Sequence, residues 1–108
     1  MAKLEKMLYD DFNRIIGRIE AEILAGSSSA SLEDTSDFID GDARCSVRVF
    51  ERYSAFGGNR VSLSVTLFQN GNGPLHLSAI TAGGSQAMFF KINTVGEEAF
   101  LDKLREII

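Results

Sequence analysis

Two arginines and one histidine are the side chains in this sequence whose types and spacing could do chemistry. Arg48 and Arg52 stand four apart in a stretch of alternating character, and His76 occupies a later stretch of the same kind. Alternation sends neighbouring side chains to opposite faces of a strand. If the apolar residues Cys45, Val47 and Val49 face inward, Arg48 and Arg52 share the outer face with Ser62, Ser64, Thr66, His76 and Ser78. Planar guanidinium forks bind phosphate or carboxylate bidentately, and hydroxyls can complete such a site. The imidazole would be the natural proton carrier near neutral pH. An enzyme built this way would hold an anion with Arg48 and Arg52 and titrate through His76. General acid–base work needs a partner within hydrogen-bond reach, and no motif specifies one, so no catalytic residues are assigned.

A second candidate is the loop Ala82-Gly83-Gly84-Ser85-Gln86. Paired glycines let backbone N–H groups turn toward an anion. Phosphate loops, however, lead from a strand into a helix. The segment that follows, Gln86–Ile92, carries Met88, Phe89 and Phe90 and is expected to be a strand with two apolar faces. A turn or bulge is therefore the preferred assignment. The candidate binding residues are Arg48, Arg52, His76, Ser85 and Gln86.

Metal and cofactor chemistry finds little support. The acidic residues Glu33, Asp34, Asp37, Asp40 and Asp42 lack the spacing, central glycine and distal glutamate of an EF-hand loop. A two-residue loop at Gly41-Asp42 would place Asp40 opposite Ala43 and Thr35 opposite Arg48. Asp37 and Glu33 would then flank Arg48 in a cross-strand charge ladder. One cysteine and one histidine cannot make a zinc site, and Cys45 is expected to point inward as a small core residue. No nucleotide fingerprint is present. No cofactor is expected.

The elements that must position these residues follow from periodicity. Leu4, Leu8, Phe12, Ile15, Ile16, Ile19, Ile23 and Leu24 recur every three or four residues, which predicts an amphipathic helix over 3–25 ended by Gly26. A strand is expected around Leu32–Ile39, followed by strands over Cys45–Val49, Val61–Leu67 and Leu75–Ala79. Their connections are hairpin-sized and rich in Gly and Asn, so the sheet should be antiparallel. Thr94-Val95-Gly96-Glu97 fits a capping box ahead of a second helical stripe, Phe100, Leu101, Leu104 and Ile107. The predicted fold is α+β, in the order α-β-β-β-β-β-α. It is an antiparallel four- to five-stranded meander with N-terminal and C-terminal helices packed on one face.

Length and composition fit one domain over 1–108, with 44% apolar and 24% charged residues and a formal net charge of −4. A net acidic chain without a Lys/Arg cluster on a helix is a poor ligand for a polyanion, and the local concentration of Arg44, Arg48, Arg52 and Arg60 does not offset the net charge, so no nucleic-acid partner is expected. No apolar run reaches bilayer length and no signal-peptide pattern opens the chain. Together with the single cysteine, this predicts a cytoplasmic protein with no membrane partner.

Glu51-Arg52-Tyr53-Ser54, Gly83-Gly84-Ser85-Gln86-Ala87 and Phe89-Phe90-Lys91-Ile92-Asn93-Thr94, followed by Gly96-Glu97-Glu98 and Phe100-Leu101, resemble a family of small bacterial proteins of unknown function. The resemblance implies a stand-alone bacterial protein of this length and carries no activity. Phe50 and Phe68 fall on the polar face by parity, which suggests that this face is covered by a partner or that a bulge interrupts the alternation. The sequence thus favours a non-enzymatic binding or interaction module that self-associates as a homodimer. The alternatives are a carrier or sensor for a small anionic or apolar ligand held between sheet and helices, and an enzyme using His76 with Arg48 and Arg52.

Overall fold

The computed structural model describes residues 1–53, 59–83 and 90–108, the last segment with side chains from Val95 onward. The chain runs β1 (Ala2–Leu8), α1 (Phe12–Ala25), β2 (Ser31–Asp40), β3 (Ala43–Tyr53), β4 (Arg60–Asn70), β5 (Leu75–Gly83) and α2 (Phe90–Ile107). All five strands pair antiparallel in one sheet, in the order β1-β5-β4-β3-β2. The fold is α+β, with one N-terminal and one C-terminal helix, as the periodicity predicts. Helix α2 packs on β5, β4 and β1, while α1 packs beside α2 and over β2 and β4.

The order of elements differs from the expectation at both ends. The predicted helix over 3–25 is two elements, and its first part is the edge strand β1, hydrogen-bonded to β5 with Ala2 opposite Thr81 and Leu8 opposite Leu75. Residues spaced by four share a face in a helix and in a strand alike, so Leu4, Leu8 and Phe12 could not distinguish the two. The break is Asp10-Asp11. Asp11 is the N-cap of α1 and its carboxylate accepts from the Arg14 backbone N–H at 2.9 Å. Asp10 takes the Arg14 guanidinium at 3.1 Å. Beyond that point Phe12, Ile15, Ile16, Ile19 and Ile23 form the buried stripe of α1.

At the other end, the expected strand over Gln86–Ile92 is contradicted at Phe90–Ile92, which is helical, and its earlier part lies outside the described residues. The Thr94–Glu97 capping box is also overturned, because those residues lie inside α2. Glu97 does not reach back to its own helix start. Its buried carboxylate accepts from the Gly83 backbone N–H at 3.2 Å and faces the Met1 amine, tying α2 to the adjoining ends of β5 and β1.

The core lies between sheet and helices. Val61, Leu63, Val65 and Leu67 of β4 and Leu75, Leu77 and Ala79 of β5 are fully or almost fully buried against the apolar stripes of both helices. The β2–β3 turn uses Gly41 and Asp42, and Gly41 has φ +59°, the left-handed value that the first position of a two-residue hairpin loop asks of glycine. Asp40 faces Ala43 and Thr35 faces Arg48, the register that this loop length predicts. Gly71, φ +61°, turns β4 into β5 and donates to the Asp42 carbonyl at 2.8 Å, joining the two hairpin tips.

Candidate functional site

The arginines proposed for the outer face point the other way. Antiparallel partners directly opposite one another share a face, and β3 pairs Arg48 with Val65, Phe50 with Leu63 and Arg52 with Val61. Arg44, Ser46, Arg48, Phe50 and Arg52 therefore lie under the helices, while Cys45, Val47 and Val49 lie on the opposite face. The expected inward packing of Cys45, Val47 and Val49 is overturned. The cause is Phe50, which is 0% exposed and fills more of the core than any of those three side chains. Burying it carries the even-numbered arginines inside with it. They are tolerated because β3 lies one strand from the β2 edge, where long stems can lie on apolar surface and carry their charged heads outward.

Each arginine meets a helix or the edge strand. Arg44 stacks its guanidinium 3.9 Å from the Phe12 ring centre and donates to Asn13 Oδ1 at 2.8 Å. Arg48 is only 8% exposed. Its Nη1 donates to Asp37 Oδ1 and to the Val47 carbonyl, both at 3.0 Å. Its Nε faces Glu20 Oε2 at 3.5 Å, an ion-pair distance without hydrogen-bond alignment. Arg52 stacks 4.5 Å from the centre of Phe100 in α2, and burial pulls its pKa below the ordinary arginine value. These contacts fix where both helices sit, and desolvated cation–π pairs of this kind contribute up to about 2 kcal/mol.

The acidic block resolves only in part into the expected charge ladder: Asp37 flanks Arg48, but a register shift between Leu32 and Asp34 displaces Glu33, which meets Arg60 instead of Arg48. Asp37 accepts from the Ser46 hydroxyl at 2.5 Å and from Arg48, and Glu33 faces Arg60 at 3.7 Å. Among the described residues no three His, Cys, Asp or Glu side chains converge as metal ligands. The Ser46 hydrogen bond, reinforced by Arg48, holds the Asp37 carboxyl below its ordinary value of 3.8. A depressed carboxylate stabilises the fold above its unfolded pKa, and that contribution is lost as pH falls through the lower folded value. The protein should therefore lose thermal stability more steeply below about pH 4 than Asp37→Asn does, as read by melting temperature from about pH 6 to about pH 3.

The helix-free face is ordered in rows, because cross-strand partners line up over all five strands. The first row to span all five strands, next to the hairpin-tip residues Asp40, Ala43 and Asn70, is Phe38, Cys45, Phe68, His76 and Met7, in the order β2-β3-β4-β5-β1. The next row is Ser36, Val47, Thr66, Ser78 and Glu5, and the third is Asp34, Val49, Ser64, Ile80 and Lys3. The fourth holds Ser31, Glu51, Ser62 and Ala82. Phe38, Met7, Ile80 and Phe68 are 64%, 52%, 41% and 40% exposed, a large apolar exposure for one face. Phe68 and His76 place their ring centres 6.3 Å apart. In the first three rows the central strands carry no formal charge. Charge is confined to the edges and to the far end, where Arg60 pairs with Glu51 at 2.5 Å. Open depressions cross this face. One of about 400 Å³ is bounded by Met7, Thr66, Phe68 and His76, and one of about 220 Å³ by Asp34, Ser36, Val47 and Val49.

Of the candidate binding residues, His76 lies exposed on this face, whereas Arg48 and Arg52 are separated from it by the thickness of the sheet. Ser85 and Gln86 lie outside the described residues. The three described candidates thus lie on two faces of the sheet, and the histidine shares its depression with Met7, Thr66, Phe68 and Ser78 and with Glu5 and Lys6 of the edge strand. Cys45 and His76 share a row, with Phe68 between them. Residues missed at this surface are Met7, assigned to a helix, and Val47 and Val49, assigned inward. The parity of Phe50 was the available signal.

Across its full length, residues 1–108, the sequence matches a profile described as "Family of unknown function (DUF6054)". The chain belongs to that family. No activity is assigned to DUF6054, so membership supplies no substrate or reaction for this surface. No curated protein matches this DUF6054 chain. No solved structure matches it either. Among the described residues no helix is long and apolar enough to cross a membrane.

Proposed function

We propose that this protein is a cytoplasmic interaction module that works as a homodimer, with the helix-free face of its sheet as the contact surface. The observation that carries this is the continuous row Phe38–Cys45–Phe68–His76–Met7, which spans all five strands with no element above it among the described residues. A sheet buries one face on its own helices, and the second face is normally polar when it meets water. This one has an uncharged apolar and hydroxyl centre with charges at the rim, the anatomy of a protein–protein interface.

The dimensions favour a second copy as the occupant. Strands of seven to eleven residues, five abreast, give a face of roughly 800 Å² at ordinary strand spacing and rise. A standard interface takes about 800 Å² from each partner. A net charge of −4 on each chain opposes self-association, but the neutral centre keeps like charges out of the contact. Packing two such faces would turn two-layer protomers into a four-layer assembly with a sandwich at its middle.

Light scattering over a range of concentrations tests this. A molar mass rising to twice the 11.8 kDa of the chain is the expected result. A mass equal to one chain at the highest concentrations reached would remove the proposal.

A further inference from the structure

We infer that the two-fold axis of this dimer runs along β4, in the plane between the two sheets, an inference that rests on the homodimer proposed above. A face-to-face sheet dimer has two simple symmetric arrangements. With the axis along β4, each row packs on the same row of the partner, reversed across the sheet, so β3 lies over β5 and β2 over β1. With the axis across the strands, each strand packs on itself end for end, and the first row falls on the fourth.

The row composition separates these arrangements. In the first, Phe68 packs on its symmetry mate, Cys45 faces His76, and Phe38 faces Met7, so the apolar row is buried on itself. Two rows on, Val49 faces Ile80 and Asp34 faces Lys3, an opposite-charge pair made twice by symmetry. In the second, Cys45 is set against the Glu51 carboxylate and Phe68 against Ser62, while Asp34 faces Ser36. Glu51 meets an uncharged side chain in either arrangement, Ala82 in the first and Cys45 in the second, and Lys3–Glu5 pairs in the second match the Asp34–Lys3 pairs of the first, so the burial of the apolar row on itself, found only with the axis along β4, decides between them. Aligned sheets cross at roughly 30°, which offsets the edge strands by about one residue pair. The four-carbon stem of Lys3, 61% exposed at its side chain, spans that offset. Lys3 also lies 3.0 Å from Glu5 in its own chain, so a test must separate these two carboxylates.

Mixing Lys3→Glu protein with Asp34→Lys protein does so. With the axis along β4, each variant alone suffers two like-charge contacts, whereas the mixed dimer keeps one native pair and gains one reversed pair. Native mass spectrometry of the mixture should show the mixed dimer favoured by roughly tenfold over the statistical proportion, with circular dichroism confirming that both variants fold. With the axis across the strands, Lys3 would face Glu5 of the partner. Asp34→Lys would then remain with itself and no mixed dimer would be enriched. That result, in chains whose unmutated parent dimerises, overturns the axis and leaves the dimer standing. A parent that is monomeric in the same experiment overturns both.

Discussion

Phe50→Ala should cost about 3–5 kcal/mol of folding stability, while Val47→Ala, three residues earlier on the same strand, should cost less than about 1 kcal/mol when measured in dilute protein. Phe50 is fully buried on the helix-covered face of β3, beside Leu63 of β4, so its loss removes a large apolar side chain and leaves a cavity that a packed core only partly closes. Val47 lies on the helix-free face and is half-buried by its strand neighbours. Urea denaturation, with the slope compared between variants to verify a common unfolded state, gives both numbers. The alternation read from Cys45, Val47 and Val49 alone predicts the reverse order, with Val47 costly and Phe50 nearly silent. The comparison therefore tests which way β3 faces, and with it the whole division of the molecule into a covered and an open side.

The strands with unmixed patterns were legible from their residues. Val61, Leu63, Val65 and Leu67 alternate with short hydroxyl side chains, and Leu75, Leu77 and Ala79 alternate with His76 and Ser78. Both sets fall on the covered face as their spacing implies. The β2–β3 register was legible for a local reason, because a two-residue Gly-Asp loop leaves only one pairing. β3 was not legible by alternation, since each face carries both apolar and long polar side chains. There the volume of one phenylalanine outweighs three smaller residues, and arginine stems can lie on apolar surface. β1 was hidden because a spacing of four fits either period.

Of the candidate site, His76 was placed on the open face correctly. Arg48 and Arg52 were placed there by the same parity that misdirected Cys45. Met7 could not be found without β1, because it joins the apolar row only as an edge-strand residue opposite His76.

Phe68→Asp should weaken the dimer by at least about 100-fold while leaving the protomer folded. The side chain is 40% exposed in the single chain, so its replacement removes little of the protomer's own core. In the dimer it lies at the centre of the apolar row, on the middle strand of the sheet. A carboxylate buried there must be desolvated without a cation, and with the axis along β4 it also meets its own symmetry mate. The penalty for an unpaired buried charge is several kcal/mol, and 100-fold corresponds to only about 2.7 kcal/mol. Sedimentation equilibrium gives the dissociation constant, and circular dichroism with the melting temperature of the dilute variant reports on the fold. Ser64→Asp, two rows away on the same strand, should act in the same direction. A dimer indifferent to Phe68→Asp would use some other surface.

Cys45 offers the most direct measurement of where two copies meet, because it is the single cysteine of the chain and belongs to the apolar row of the helix-free face. Its rate of reaction with a colorimetric disulfide reagent can be followed as protein concentration rises through the monomer–dimer transition found by sedimentation. Burial of this face by a second copy predicts that the thiol slows in step with the dimer fraction, and that in Phe68→Asp it keeps the fast rate throughout. A thiol that reacts equally fast in monomer and dimer would mean that the open side of the sheet stays open, and that association takes place elsewhere.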